Sequence, residues 1–228
     1  MKRISLKDAA DLSAIFEKTR SLLEGIQAGG ITAIPVAGLS GKRSTKADHL
    51  EPIRRQALAC QACRLSKGRH SVVFGEGPLN AKLLFVGEGP GREEDIQGRP
   101  FVGAAGELLT KIIQAMGLTR DSVYITNVVK CRPPMNRPPQ PDEIEACHGY
   151  LTAQLETIAP RVICALGKTA ATVLLRLEIP MNKMRGKTFE WHGIPLVVTF
   201  HPAYLLRNPS AKPLVWQDMQ RVLALLRS

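Results

Sequence analysis

From about residue 56 to the carboxyl terminus, short apolar runs alternate with longer amphipathic stretches. Four runs are apolar along nearly their whole length, which is typical of parallel strands that are buried on both faces. Amphipathic helical stretches separate them, so the order predicts a three-layer α/β/α sandwich with a four-stranded parallel central sheet. The predicted strands are Lys82–Gly87, Val123–Val129, Arg161–Leu166 and Pro195–Phe200, and the predicted helices are Gly103–Met116, Pro141–Ile158, Lys168–Leu177 and Pro213–Leu226.

Residues 1–55 differ from the rest of the chain. Asp8–Gly25 has a helical apolar pattern, and residues 27–48 are rich in glycine, serine and basic residues. We therefore predict an N-terminal helix and flexible basic linker over residues 1–55, left open as a site for a protein partner, and one domain over residues 56–228. No apolar run reaches the roughly 18 residues of a membrane span, and no signal peptide is apparent. The expectation is a cytoplasmic monomer.

Charge narrows the class of partner. Lysine and arginine total 31 against 20 acidic residues, a net charge of +11. Such an excess favours polyanions, nucleic acid first, although charge alone leaves a merely basic soluble protein equally open. The five cysteines are an odd number, which argues against a disulfide framework and for metal binding or simple burial.

In an open α/β sheet, ligands bind beyond the carboxyl ends of the strands, so the side chains that follow those ends are candidates for the functional site. After the first predicted strand, Gly87–Gly91 contains three glycines and a proline, a tight turn that lets backbone approach a ligand closely. Gly167–Thr169 and Gly41–Arg43 resemble the end of a Walker loop but lack its earlier glycine. We therefore expect no nucleotide cofactor.

Asn127 ends the second strand, and His201 follows the fourth. One amide offers a donor beside an acceptor, and uracil and cytosine present opposite patterns to it, so a fixed Asn127 can separate these bases. His201 is followed by a proline and is held on a stiff turn. Each residue also has a purely structural interpretation, as the end of a strand or as a loop histidine.

The segment after His201 has an apolar tip. Leu205, Leu206 and Arg207 lie between Pro202 and Pro209. Two leucines beside a cation suit a wedge that enters a base stack while the cation meets a phosphate.

Four cysteines form a candidate metal site. Cys60 and Cys63 are a chelating pair, and Cys131 and Cys147 lie far along the chain. Four thiolates hold either zinc or an iron–sulfur cluster, and the spacing alone does not decide between them. The alternative is that Cys131 and Cys147 are core residues and that Cys60 and Cys63 are a pair without a function. Cys164 lies inside an apolar strand, and we predict that it is a core residue and not a ligand.

Together these motifs resemble the family 4 uracil-DNA glycosylases, which contain an iron–sulfur cluster. The resemblance covers residue 56 to the carboxyl terminus and rests on GEGPGREEDIQGRPFVG, ITNVVKCRPP, TFHPAYLLRNP and the four cysteines in the family's order. It implies a four-stranded parallel sheet between helices. It also implies a structural 4Fe-4S cluster, whose ligands would be Cys60, Cys63, Cys131 and Cys147.

The resemblance further implies a DNA substrate whose uracil is flipped out of the helix. Phe101 would stack on the flipped base, Asn127 would read its edge, and the backbone at Gly87 and Gly89 would close over it. The Leu205–Leu206 loop would fill the gap or push the base, with Arg207 beside it for phosphate.

For the chemical step, the resemblance implies that His201 donates a hydrogen bond to uracil O2 as negative charge develops there. Glu88 would orient water or offset the cationic sugar. The best-studied uracil glycosylases place an aspartate one position later, where this chain has Gly89, so the role of Glu88 stays open between the two. A related group bonds covalently to DNA through a histidine in a loop that here reads CRPPMNRPPQP, without histidine. The absence of this histidine favours catalytic turnover over covalent capture of the DNA.

Other interpretations remain. A DNA-binding accessory protein with a four-cysteine metal site explains the charge and cysteines but leaves Glu88, Asn127 and His201 as coincidence. A glycosylase of the same fold could act on hypoxanthine or another damaged base. An enzyme of small nucleotides is disfavoured by the wedge.

Overall fold

The computed structural model of the protein describes residues 45–228. The helix predicted for Asp8–Gly25 and most of the predicted linker lie outside these residues.

A five-stranded sheet forms the centre, in the order β2-β1-β3-β5-β4. β1 pairs in parallel with β2 and β3, and β3 pairs in parallel with β5, so the four predicted parallel strands are confirmed. A fifth strand, β4, pairs antiparallel to β5 at the edge. The strands are β1 Leu83–Gly87, β2 Tyr124–Asn127, β3 Val162–Leu166, β4 Thr188–Trp191 and β5 Ile194–Thr199.

The prediction of four strands missed β4 because this strand is not continuously apolar. Only Trp191 of its four residues is buried. A tight hairpin joins β4 to β5 through His192 and Gly193, both with positive φ (47° and 84°). An edge strand that buries one face at most lacks the apolar run that marks a central parallel strand.

Helices cover both faces of the sheet, which confirms the three-layer sandwich. Side chains alternate along β1, so that Leu84 and Val86 enter one core and Leu83 and Phe85 the other. The helices are α1 Lys46–Ala59, α2 Arg92–Gln97, α3 Ala104–Ala115, α4 Pro141–Ile158, α5 Lys168–Leu175, α6 Met181–Met184, α7 Pro202–Arg207 and α8 Lys212–Arg227. α4 and α5 pack into the first core, and α3 and α8 pack into the second. Among residues 45–228, no helix combines the length and apolarity that a membrane crossing requires.

The predicted boundary between residues 55 and 56 falls inside α1. Thr45 and Asp48 cap this helix reciprocally: the Asp48 amide donates to Thr45 Oγ1 (3.2 Å), and the Thr45 amide donates to the Asp48 carboxylate (2.8 Å). Leu50 and Ala57 pack against Phe74. Residues 45–55 therefore belong to the folded domain. The sequence did not predict that the domain begins this early, because α1 is polar on most of its surface and buries only Leu50 and Ala57.

Candidate active site

A cavity of about 530 Å³ opens at the carboxyl ends of the parallel strands. This is where ligands bind in open α/β sheets. Each of the four parallel strands ends in a lining residue or is followed by one within two positions. Of the predicted site residues, the structure brings Glu88, Gly89, Phe101, Asn127, His201 and Arg207 together around this cavity.

Gly87 lies behind the cavity wall and makes room for two of those side chains. It is the register partner of Asn127 across β1 and β2. A Cβ atom on Gly87 would lie 2.4 Å from Asn127 Oδ1 and 2.5 Å from Phe101 Cζ. Only glycine therefore allows the amide and the aromatic ring to occupy their present positions.

Phe101 is held in an unfavourable backbone conformation. Its φ is 52°, in the left-handed region that bulky residues avoid, which commonly costs about 1–3 kcal/mol. Buried Glu94 fixes the next turn, since its Oε1 accepts the amides of Val102 and Gly103, both at 2.9 Å. The Phe101 ring consequently faces the cavity, 5.6 Å from the His201 ring centroid. Sequence reasoning missed Glu94, which lies in an unremarkable acidic run.

Asn127 is buried at the end of β2, and its Oδ1 has no hydrogen-bond partner among residues 45–228. A buried acceptor without a partner commonly costs about 1–3 kcal/mol, and a bound donor would remove that cost. The backbone around it is fixed, because the Val128 and Val129 amides continue the pairing to β1. The amide is therefore a preoriented and unsatisfied group on the cavity wall.

His201 caps the amino terminus of α7. Its Nδ1 accepts the Ala203 amide at 3.1 Å, so the neutral ring keeps its proton on Nε2. Burial lowers the pKa of His201 to about 4; Glu94 opposes this change in pKa, and Arg207 adds to it. At neutral pH the ring is thus an uncharged Nε2–H donor at the cavity.

Glu88 receives a hydrogen bond from the hydroxyl of Thr169, which lies in the first turn of α5. Gly167–Thr169, which resembles the end of a Walker loop but lacks its earlier glycine, lines the cavity together with Glu88. Gly167 has φ 93°, and this turn brings α5 to the cavity. A threonine three residues past the end of a strand has no signal of its own, which is why sequence reasoning missed Thr169.

The predicted wedge is a short helix, α7, and its two leucines point in different directions. Leu205 is 1% exposed and belongs to the core with α3 and α8, whereas Leu206 is 49% exposed. Consecutive residues of a helix point about 100° apart, so both cannot face solvent. The prediction that Leu205 enters a base stack is wrong. Leu206 and the partly exposed Tyr204 form the apolar surface, and Arg207 lines the cavity.

The proline-rich segment after Cys131 forms part of the cavity rim. Asn136 and Arg137 line the cavity, and Met135 beside them is 95% exposed. Met135 and Asn136 have φ 54° and 56°. Arg132 Nε donates to Asn136 Oδ1 (2.8 Å), and the Arg137 guanidinium pairs with Glu143 (2.6 Å), so the segment is tied down at both ends.

The four predicted ligand cysteines meet in a second, small pocket between α1, α4 and the end of β2. Three of their sulfur atoms accept hydrogen bonds: Cys60 from the Ala62 amide (3.5 Å), Cys131 from Arg69 (3.3 Å) and Cys147 from the Lys130 amide (3.3 Å). Burial raises the pKa of Cys131, and it raises the pKa of Cys147 to about 11. Cys164 is fully buried in β3, which confirms it as a core residue.

Lys130 is the unexpected member of the cysteine pocket. It is 1% exposed, and its ammonium donates to Thr126 Oγ1 (2.8 Å), the Asn127 carbonyl (2.7 Å) and Gln154 Oε1 (2.6 Å). Burial lowers the pKa of Lys130 to about 7, and Cys147 opposes this change. Sequence reasoning missed Lys130 because a lysine that ends a strand is ordinarily at the surface.

The fold and the cavity agree with the comparisons to known proteins. A family model described as the uracil DNA glycosylase superfamily matches residues 74–220, which include the whole sheet. The chain belongs to this superfamily.

The relatives narrow the group. A type-4 uracil-DNA glycosylase of Thermotoga maritima is 46% identical over 187 residues, covering 80% of this chain and 97% of the relative. One from Saccharolobus solfataricus is 44% identical over 190 residues, covering 79% of this chain and 88% of the relative. A type-5 uracil-DNA glycosylase of Pyrobaculum aerophilum is 32% identical over 149 residues, covering 58% and 66%. Within the superfamily, the chain is thus a member of the type-4 group.

Proposed function

We propose that the protein is a DNA-repair glycosylase that flips uracil out of DNA and hydrolyses its N-glycosidic bond. The products are free uracil and an abasic site. One observation carries this proposal: a preoriented amide (Asn127), an aromatic ring (Phe101) and a neutral imidazole donor (His201) converge on one cavity. The type-4 relatives named above support the same activity.

Base recognition belongs to Asn127 and Phe101. The amide presents an acceptor to uracil N3–H and a donor to O4, and cytosine offers the reverse pattern. The unsatisfied Oδ1 favours a base that brings a donor. Phe101 offers an apolar face for stacking in the strained position that Glu94 maintains.

Bond cleavage needs stabilisation of the leaving base. As the C1′–N1 bond breaks, its electron pair moves onto uracil and positive charge develops on the sugar. His201 donates from Nε2 to O2 as that negative charge grows, and one such donor is commonly worth about 3–4 kcal/mol. The ring is neutral beforehand, so this step does not require its protonation.

Glu88 acts on the other side of the bond. Its carboxylate lies at the cavity and is oriented by the Thr169 hydroxyl. We assign it to the developing sugar cation and to the water whose oxygen adds to C1′ while its proton leaves for solvent. Gly89, at the position where the best-studied uracil glycosylases have an aspartate, has no side chain to do this.

DNA contacts come from the rim of the cavity. Leu206 fills the space that the flipped nucleotide leaves, and Arg207 meets a neighbouring phosphate. We propose that the protein acts on DNA as a monomer, and we place it in the cytoplasm. We propose the segment before the folded domain as the site for a protein partner.

We assign a structural 4Fe-4S cluster to Cys60, Cys63, Cys131 and Cys147. The donor set fits, because four cysteines surround one pocket and three accept N–H···S hydrogen bonds, which are common around such clusters. Four thiolates can hold either zinc or an iron–sulfur cluster, and the resemblance to the family 4 enzymes favours the cluster. When bound, the cluster supplies a covalent cross-link between α1, the end of β2 and α4.

The test is excision from labelled oligonucleotides by anaerobically purified protein, with alkali cleaving any abasic site. Substrates hold one uracil, thymine, cytosine or hypoxanthine, each single-stranded and paired. We expect cleavage at uracil, and cleavage slower by about 10²-fold or more in the His201→Ala control. Tight binding without cleavage would instead support an accessory DNA-binding protein. Cleavage mainly at hypoxanthine or another base would overturn the recognition assigned to Asn127.

A further inference from the structure

Lys130 is the only lysine among residues 45–228 that is fully buried. It follows β2 and points between the sheet and α4. Its ammonium donates three hydrogen bonds, to Thr126 Oγ1, the Asn127 carbonyl and Gln154 Oε1, all between 2.6 and 2.8 Å. The geometry satisfies every donor of the group, but all three acceptors are neutral.

No carboxylate pairs with this ammonium in the part of the chain that the structure describes. The ion pairs found there all involve other cations. The ring of Phe74, 5.9 Å from Nζ, contributes only a weak cation–π contact. Burying a charge without an anion is strongly unfavourable, so hydrogen bonds to neutral groups do not by themselves explain why a lysine occupies this position.

The cysteine pocket offers the missing negative charge. Lys130 lines that pocket, its backbone amide donates to Cys147 Sγ (3.3 Å), and the next residue is Cys131. Cysteines bind metals as thiolates. Four thiolates around either zinc or a dicationic iron–sulfur core leave the centre with a net negative charge.

We propose that Lys130 is a buried counter-charge of the Cys60–Cys63–Cys131–Cys147 centre, in addition to the partly buried Arg69, which donates to Cys131 Sγ (3.3 Å). It is a positioning residue, which stabilises the loaded centre electrostatically without ligating it. This inference rests on the proposed function, which places a metal centre on these cysteines. The ammonium offsets the charge of the centre, and the centre makes burial of the ammonium tolerable.

The test compares three variants of the holoprotein with wild type. Lys130→Met removes the charge at similar length, and Lys130→Gln removes the charge but keeps an amide donor. Thr126→Val, nearly isosteric, removes one acceptor and leaves the ammonium. Iron and sulfide are measured as purified, and then the visible absorbance is followed in excess ferrous-iron chelator. We expect both Lys130 variants to bleach about tenfold faster than wild type, and Thr126→Val to stay within about twofold of it.

Two results would overturn the proposal that Lys130 is a counter-charge. One is bleaching of the Lys130 variants at the wild-type rate. The other is bleaching of Thr126→Val as fast as theirs, which would assign the effect to the packing of the network. If Lys130→Met does not fold, Lys130→Gln carries the comparison.

The proposed function can be refuted independently of the counter-charge role of Lys130. Wild type that holds metal but excises no uracil would refute that function and leave the counter-charge intact. If wild type contains zinc, release of zinc to a chelator replaces bleaching. Wild type without any metal at the cysteines would overturn both the cluster and the counter-charge.

Discussion

The imidazole of His201 accepts a hydrogen bond from the backbone amide of Ala203, with 3.1 Å between Nδ1 and the amide nitrogen. Pro202 between them has no N–H and a fixed φ, so the turn is stiff. The acceptor role of Nδ1 leaves Nε2 as the donor. The tautomer that stabilisation of a leaving oxyanion requires is thus built into the first turn of α7 before any substrate arrives.

Replacing His201 with alanine should lower uracil excision by about 10²-fold or more, because one preoriented donor to a developing oxyanion is lost. The measurement is the single-turnover rate on a uracil oligonucleotide. His49→Ala, at an exposed position of α1, is the matched control and should keep the wild-type rate. An undiminished rate in His201→Ala would remove this residue from the mechanism.

The protonation of His201 should occur well below neutral pH. Burial lowers the pKa of His201 from 6.5 to about 4 in the folded protein, so the ring should remain neutral at pH 5.5. In the unfolded chain, histidine takes up its proton near pH 6.5. The stability associated with the neutral buried ring is therefore fully present above about pH 6.5 and is lost progressively as the pH falls towards 4.

Nitrogen NMR of labelled imidazole would check this directly, and a cationic His201 ring at pH 5.5 would contradict it. Urea unfolding of wild type and His201→Asn between pH 4 and pH 7 is the second measurement. The variant should lose part of the pH dependence of the free energy of unfolding. Equal slopes would mean that other groups account for all of it.

The sequence predicts the structural position of a residue well when that position depends mainly on the neighbouring residues in the chain. The strands β1, β2, β3 and β5 were predictable because a parallel strand covered on both faces must be apolar throughout. β4 was not, because its pattern is set by a neighbour on one side only. The positions of Glu88, Asn127 and His201 followed from the same rule, since residues that end parallel strands meet at one edge.

The errors concern side chains whose direction depends on tertiary contacts. In the pair Leu205 and Leu206, nothing in the sequence says which one packs on α3. Glu94 and Lys130 have charges that usually indicate the surface, yet both are buried. Each has at least one hydrogen-bond partner eight or more positions away in the sequence: the amides of Val102 and Gly103 for Glu94, and Gln154 for Lys130. Such partners are known only once the fold is known.

Asn127→Asp should weaken the discrimination between uracil and cytosine. A carboxylate has no donor for uracil O4 but accepts the cytosine amino group, so the ratio of excision rates at uracil and cytosine should fall. Paired oligonucleotides that differ only in the target base give this ratio. Asn136→Asp makes the same change at an exposed position of the cavity rim and should preserve selectivity. Unchanged selectivity in Asn127→Asp would mean that the base edge is read elsewhere.

The two leucines of α7 should behave differently. Leu205→Ala removes a buried side chain and should lower the free energy of unfolding by about 2–5 kcal/mol. Leu206→Ala should leave stability within about 0.5 kcal/mol, as expected at an exposed position. It should slow excision from duplex DNA about tenfold, but not from single strands, which need no unstacking of a paired base. Denaturant unfolding and rates on both substrates test the pair. Equal slowing on both substrates would rule out the wedge role of Leu206.

The cysteines allow a test of the cluster that does not depend on activity. Cys60→Ser should abolish the brown colour and visible absorbance of the purified protein, because serine replaces one of the four thiolate ligands. Cys164→Ser is the control: its sulfur lies in the core of β3, apart from the other four, so the colour should persist even though a buried hydroxyl costs stability. Iron and sulfide analysis of both variants gives the comparison. A colourless wild type with one zinc per chain would refute the cluster, because the four cysteines would then hold a single ion.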